Sequence, residues 1–154
     1  MHSDIGASAI AAISVISSGL IAGQMLAIAI ANHAARKMPE MSWTSRFQIE
    51  NELFSKTMPV SLLLPLASLV WTAFLTASTQ RMLFSLAGAL EFIVLVITMA
   101  ANIPINRQVA SWTVGSAPAT WAATRVRWLR FHWLRTVVGV GSFACSAIAL
   151  GIHP

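Results

Sequence analysis

Four stretches of this chain are too long and too apolar to be anything but membrane spans in a protein of 154 residues. A helix needs about 20 apolar residues to cross a hydrocarbon core of about 30 Å. Runs of that kind lie at about residues 5–32, 53–77, 82–101 and 129–151. In lipid the backbone must satisfy its own hydrogen bonds, so such runs fold as helices. Charged residues make up only 10% of the chain against 56% hydrophobic, whereas a soluble domain carries about 25% charged. The expected fold is all-α: a single integral membrane four-helix bundle. The net charge of +5 would suggest nucleic acid in a soluble protein. Here the basic residues gather in two connections, so topology accounts for them and no nucleic-acid partner is expected. The first run exceeds a signal-peptide core, lacks a basic flank and has acidic Asp4 before it, so it reads as a retained span. Cys145 is the only cysteine, which excludes enzymes that work through a cysteine pair.

Residues 33–48 form a polar connection with Arg36, Lys37, Pro39, Glu40 and Arg46. The second helix is expected from near Phe47 to about Ala77, with a polar front (Gln48, Glu50, Asn51, Glu52, Lys56) at or above the membrane surface. Pro59 and Pro65 should kink it. Asn102-Ile103-Pro104-Ile105-Asn106 should break the third helix, and a short amphipathic helix should follow at 107–112, between the third and fourth spans. A Gly-Ser-Ala-Pro turn at 115–118 leads into a fourth helix running from Pro118 to about Gly151. Of the ten Lys and Arg residues, Arg81 alone lies on the side opposite the first and third connections. The positive-inside rule then places those two connections in the cytoplasm and both termini outside, as in a bacterial inner membrane; a C-terminal reporter read inside would reverse that orientation. Gly19-x-x-x-Gly23, and Gly139, Ser142 and Ser146 on the fourth helix, form small-residue faces that suit helix packing or contact with a second copy.

Chemistry concentrates at Trp121 to Arg135, WAATRVRWLRFHWLR, which holds four of the ten basic residues and three of the six tryptophans. As a helix, Trp121, Arg125, Trp128, His132 and Arg135 share one face by their 4, 3, 4, 3 spacing. The orientation brings them to the depth of His33, Glu50, Asn102 and Asn106. Interfaces attract Arg, Trp and Asn as plain anchors. Arg135, however, is followed by apolar turns, and an Arg at that depth faces the bundle interior and a partner. His132 can be read as a general base, since imidazole titrates near neutrality, or as a hydrogen-bonded interface histidine. His33, Glu50 and His132 would supply three ligands if a metal is bound, although no HxxxH, HExxH or ExxH spacing is present. A haem between His33 and His132 would need both rings inward at one depth. His2 and His153, at the chain ends, read as solvated.

Glu91 sits mid-span in LAGALEFIVLV, where a charged carboxylate costs about 2.5–3.5 kcal/mol on insertion scales. It shares a helical face with Thr98, Asn102 and Asn106. Gln24 is the other deep polar group. The pair reads either as an interhelical hydrogen bond or as a substrate contact or proton relay. No Gly-rich phosphate loop, nucleophile elbow or nucleotide fingerprint occurs.

Asn102-x-Pro-x-Asn106, then Trp121-x3-Arg125-x-Arg-Trp128-x3-His132-x2-Arg135, resembles the anthrone oxygenase-like family of small four-helix membrane proteins. The resemblance spans the chain in length and layout, and about 35 residues in recognisable motif. It implies oxygenation of an anthrone to an anthraquinone in aromatic polyketide biosynthesis, by a membrane monooxygenase for which no cofactor is required. An anthrone has an acidic methylene between two aryl rings, and its enolate can react directly with dioxygen. On that reading His132 is the base. Arg125, Arg135, Asn102 and Asn106 stabilise the anion. Trp121 and Trp128 wall a flat apolar substrate, with Glu91 and Gln24 deeper in the substrate site. A metal- or haem-dependent oxidoreductase is the alternative. Two non-enzymatic alternatives are a proton-coupled transporter and an assembly subunit. Small four-helix exporters place their buried Glu in the first helix, unlike Glu91, whereas the assembly reading accommodates every feature named.

Overall fold

The computed structural model describes residues 2–152, with side chains from residue 6. The side chain of His2 and all of His153 lie outside the described residues. The chain forms α1 (His2–Ala34), a single 3-10 turn, α2 (Glu40–Leu75), α3 (Ser78–Ile97), a π turn (Thr98–Asn102), α4 (Ile103–Ala110) and α5 (Trp121–Gly151). No strand occurs among the described residues. Four helical runs are long and apolar enough to cross a membrane, the third being α3 with its continuation through α4. The fold is the all-α four-helix membrane bundle the sequence predicts. α1 packs on α2 and α5, and α3 packs on α2 and α5, so α5 closes the ring between α1 and α3.

Several boundaries differ from expectation: the short helix expected at 107–112 runs Ile103–Ala110, and the fourth long helix starts at Trp121 instead of Pro118. α2 begins at Glu40, after Pro39, instead of near Phe47. Its first turns bury Trp43, Thr44 and Phe47, and Arg46–Glu50 and Lys56–Glu52 pair at i,i+4, which supports a continuous helix. The front of α2 therefore packs along one side only: Gln48, Glu50 and Asn51 are half-buried, whereas Glu52 and Lys56 stay exposed. α2 also runs through Pro59 and Pro65 without interruption. The Asn102–Asn106 stretch likewise does not break the third span. A π turn carries the chain on, with the Ile103 N–H bonded to the Thr98 carbonyl. Pro104 has no N–H to give and its ring needs room against the preceding turn; the wider π step supplies that room at the start of α4.

Lipid gives apolar helices no hydrophobic reason to associate, so packing and small polar contacts hold them together. Ser14 and Thr72 hydroxyls meet at 2.9 Å between α1 and α2, and Ser18 and Ser146 at 3.2 Å between α1 and α5. Ser142 of α5 donates to the Ala87 carbonyl of α3 at 2.8 Å. Such interhelical bonds average about 0.6 kcal/mol each. Two glutamines satisfy helix ends: Gln48 donates to Val109 and Trp112 carbonyls at the end of α4, and Gln80 to Ala149 and Ile152 carbonyls at the end of α5.

The small residues turn inward. Gly139, Ser142 and Ser146 are buried, so they serve the bundle and leave no face for a second copy there. Gly19 lies under Phe143 of α5, whereas a Cβ at Gly23 would meet nothing within 4 Å, so the two glycines do not form one packing motif. A Cβ at Gly139 would collide with the Met25 terminal methyl. Gly139→Leu is therefore expected to cost about 1–3 kcal/mol through overpacking, read as a lower unfolding midpoint in detergent, with Gly23→Leu as the silent control. Equal midpoints would refute this account of the α1–α5 contact.

Candidate active site

The face predicted on α5 is real but spans two layers. At the upper layer, the Arg125 guanidinium lies 4.7 Å from the Trp121 ring centroid and 5.9 Å from that of Trp43, and it donates to the Met38 carbonyl at 3.2 Å. Trp43 also packs tilted against Trp112 and Trp121. This aromatic cluster ties the α1–α2 connection to the start of α5, with Arg125 as a cation–π clamp.

One turn deeper, Trp128 changes the chemistry. Its ring stacks on His132 with centroids 4.7 Å apart, and Phe47 meets it edge-on at 5.2 Å. Its indole N–H donates to Asn106 Oδ1 at 2.7 Å. That bond fixes the Asn106 amide, leaving its NH2 as the uncommitted end. Asn102 Nδ2 reaches the Trp128 carbonyl at 3.5 Å, and Asn102 Oδ1 is buried without a partner.

His132 and Arg135 form the centre. His132 is 0% exposed and Arg135 4%. Arg135 Nη2 lies 2.8 Å from His132 Nδ1, and His132 Nε2 lies 2.9 Å from the Met25 carbonyl. A guanidinium only donates and a carbonyl only accepts. Nδ1 is therefore the acceptor and Nε2 carries the proton, so the ring is a neutral imidazole with both nitrogens engaged. Arg135 Nη1 also donates to Thr98 Oγ1 at 3.0 Å, and Thr98 in turn donates to the Val94 carbonyl at 2.8 Å. Arg135 Nε is buried with no partner. The ion pairs found among the described residues, Arg46–Glu50 and Lys56–Glu52, do not involve Arg135. Its charge is held by neutral acceptors alone, which leaves it suited to an anion.

A cavity of about 680 Å³ opens between α2 and the α3–α4 run, with Arg135 reaching it from α5. Phe54, Met58, Leu62, Leu95, Met99 and Ile103 give it apolar walls, while Asn51, Thr98, Asn106, Arg107 and Arg135 supply polar groups. A smaller lobe of about 40 Å³ adjoins it, lined by Glu50, Asn51, Asn106, Trp128 and Arg135 among others. The larger space falls in the size range of small-molecule sites, and its few convergent polar groups match their usual character.

The structure thus brings together Arg135, Asn106 and Trp128 at the cavity, with His132 behind Arg135 and Asn102 beneath Trp128. It separates the rest. Arg125 and Trp121 belong to the aromatic layer and line neither lobe. Glu91 is 1% exposed and makes no hydrogen bond to Gln24, so the interhelical bond, one of its two readings, is not formed. Gln24 is only half-buried, off the face of α1 that buries Ser14, Ser18 and Met25. The metal set is not assembled either. His33 is exposed and pairs with Arg36 at 2.9 Å. His132 has no free nitrogen, and no cluster of three His, Cys, Asp or Glu side chains suited to a metal occurs among the described residues. The same two observations separate the proposed haem ligands. Sequence reasoning missed the α2 wall. Its signal was present in the 4, 3, 4 spacing of Asn51, Ser55, Met58 and Leu62, which places one polar-to-apolar stripe on the cavity side.

Fold and site together define a membrane helix bundle with a buried cation facing an apolar small-molecule cavity. The chain belongs to the anthrone oxygenase family: that family's model matches residues 43–145 of the 154. The matched stretch contains every residue lining the two lobes except Ile28. No curated protein sequence and no solved structure matches the chain.

Proposed function

We propose that this protein is a membrane oxygenase that converts a hydroxylated anthrone, or a close tricyclic relative, to the corresponding quinone with dioxygen. Such a step belongs to aromatic polyketide assembly. The observation that carries the reading is Arg135, a buried guanidinium with an unpartnered Nε, at an apolar cavity of about 680 Å³. An anthrone becomes reactive when its methylene loses a proton and the charge moves to the carbonyl oxygen. Arg135, with the Asn106 amide beside it, is placed to hold that oxyanion; preorganised donors of this kind act most strongly where water is excluded. His132 serves as a positioning residue that fixes the guanidinium, and Trp128 sets the Asn106 amide. The flat apolar body of the substrate rests among Phe54, Met58 and Met99. The basic-residue count supports a site toward the cytoplasmic side of the membrane, which we take to be a bacterial inner membrane.

Purified protein supplied with the anthrone dithranol and labelled dioxygen is expected to form the anthraquinone faster than buffer does, with one labelled oxygen atom in the new carbonyl. Product formation no faster than in empty detergent micelles would reject the reading.

A further inference from the structure

With His132 fully committed, an oxygenase of this kind lacks a proton acceptor, and the structure offers one elsewhere. Glu50 lines the small lobe that adjoins the main cavity, beside Arg135, Asn106 and Trp128. Its Oε1 accepts from Arg46 Nε at 2.6 Å, which holds the carboxylate in place on α2. Its Oε2 has no hydrogen-bond partner among the described residues. No other carboxylate lines either lobe. Glu52 points away, 76% exposed and paired with Lys56.

We propose that Glu50 is the catalytic proton acceptor for the bound substrate. The inference rests on the anthrone-oxidising function proposed above. Glu50 Oε2 takes one methylene proton; the C–H electron pair stays with the substrate as the enolate, whose oxygen faces Arg135. The enolate carbon bonds to dioxygen, giving a peroxide anion that takes the proton back from Glu50. Glu50 then removes the second methylene proton. That C–H pair becomes the new C=O π bond, the O–O bond breaks, and hydroxide leaves. Hydroxide collects the proton from Glu50 as water, and the carboxylate is restored. Dioxygen is the only oxidant: one atom ends in the quinone and one in water.

The step can be isolated without oxygen. Under anaerobic conditions in deuterated buffer, wild-type protein is expected to exchange the dithranol methylene hydrogens, followed by mass spectrometry. Glu50→Gln is expected to slow exchange by ~10²–10⁴-fold while still binding the product anthraquinone, read by quenching of tryptophan fluorescence. Glu52→Gln is expected to exchange like wild type. Wild-type exchange in Glu50→Gln would overturn the assignment while leaving the proposed function standing. If wild-type protein neither binds the quinone nor exchanges the anthrone, the function and this inference fall together. Should Glu50→Gln lose quinone binding, Glu50→Asp decides: exchange slowed at least about tenfold with binding intact supports the assignment, and an unchanged rate overturns it.

Discussion

Replacing Arg135 with Met is expected to lower anthrone turnover by ~10²–10³-fold, the usual cost of losing one oxyanion donor, while changing stability by no more than about 2 kcal/mol. The two effects separate because Arg135 is poorly rewarded in the folded protein. It is 4% exposed, its Nε has no partner, and its bonds go to a neutral imidazole and a hydroxyl. Exchanging such a cation for an apolar side chain of similar length relieves a desolvation cost, against which stands the loss of a partner for His132 Nδ1. Arg135→Lys keeps the charge but has three donors on one atom, so it cannot bridge His132 and Thr98 and also meet a ligand in the same plane. It should fall between Met and wild type. Kinetics in detergent together with a thermal melt test both halves. Wild-type turnover in Arg135→Met would remove the oxyanion site from the mechanism.

His132 supplies the second large effect. As a positioning residue it needs one acceptor for Arg135 and one donor for the Met25 carbonyl, and glutamine carries both on its amide. His132→Gln is therefore expected to keep turnover within about tenfold of wild type, while His132→Ala loses ~10²–10³-fold because the guanidinium is no longer fixed. The Ala change also empties the space beneath Trp128 and strands a buried carbonyl, at about 2–4 kcal/mol. A base at His132 would give a different result: Gln, which cannot take a proton, would be as inactive as Ala. Equal loss in the two variants would restore His132 as the base and displace Glu50.

The sequence made the spans legible because lipid imposes a length and a polarity that few alternatives satisfy. It made Arg135 legible for the same reason, since a cation that far into an apolar run must turn inward. Periodicity alone could not give depth. Trp121 and Arg135 share a face, but 14 residues of helix separate them by about 21 Å, which is why Arg125 and Trp121 belong to another layer. The Asn102–Asn106 stretch was misread because the local rule for proline predicts a break, whereas packing on α5 carries the helix through a π turn. The polarity of Glu50 and Asn51 points to the surface, and only the inward packing of Trp43 and Phe47 shows that one side of the start of α2 faces the bundle. Gln24 illustrates the opposite limit. α1 is apolar almost all round, so nothing in its pattern says which side meets its neighbours.

The rim of the large cavity has a kinetic consequence. Leu63 and Met99 line it while remaining 52% and 58% exposed on the surface that a bilayer would cover. A ligand reaching Arg135 past these side chains arrives from the hydrocarbon phase, so its effective concentration is a mole fraction in lipid. Anthrone and dioxygen both partition into that phase, and the product can return to it. Turnover would then scale with substrate per lipid, and adding inert lipid at a fixed total amount of substrate would slow the protein as competitive inhibition does.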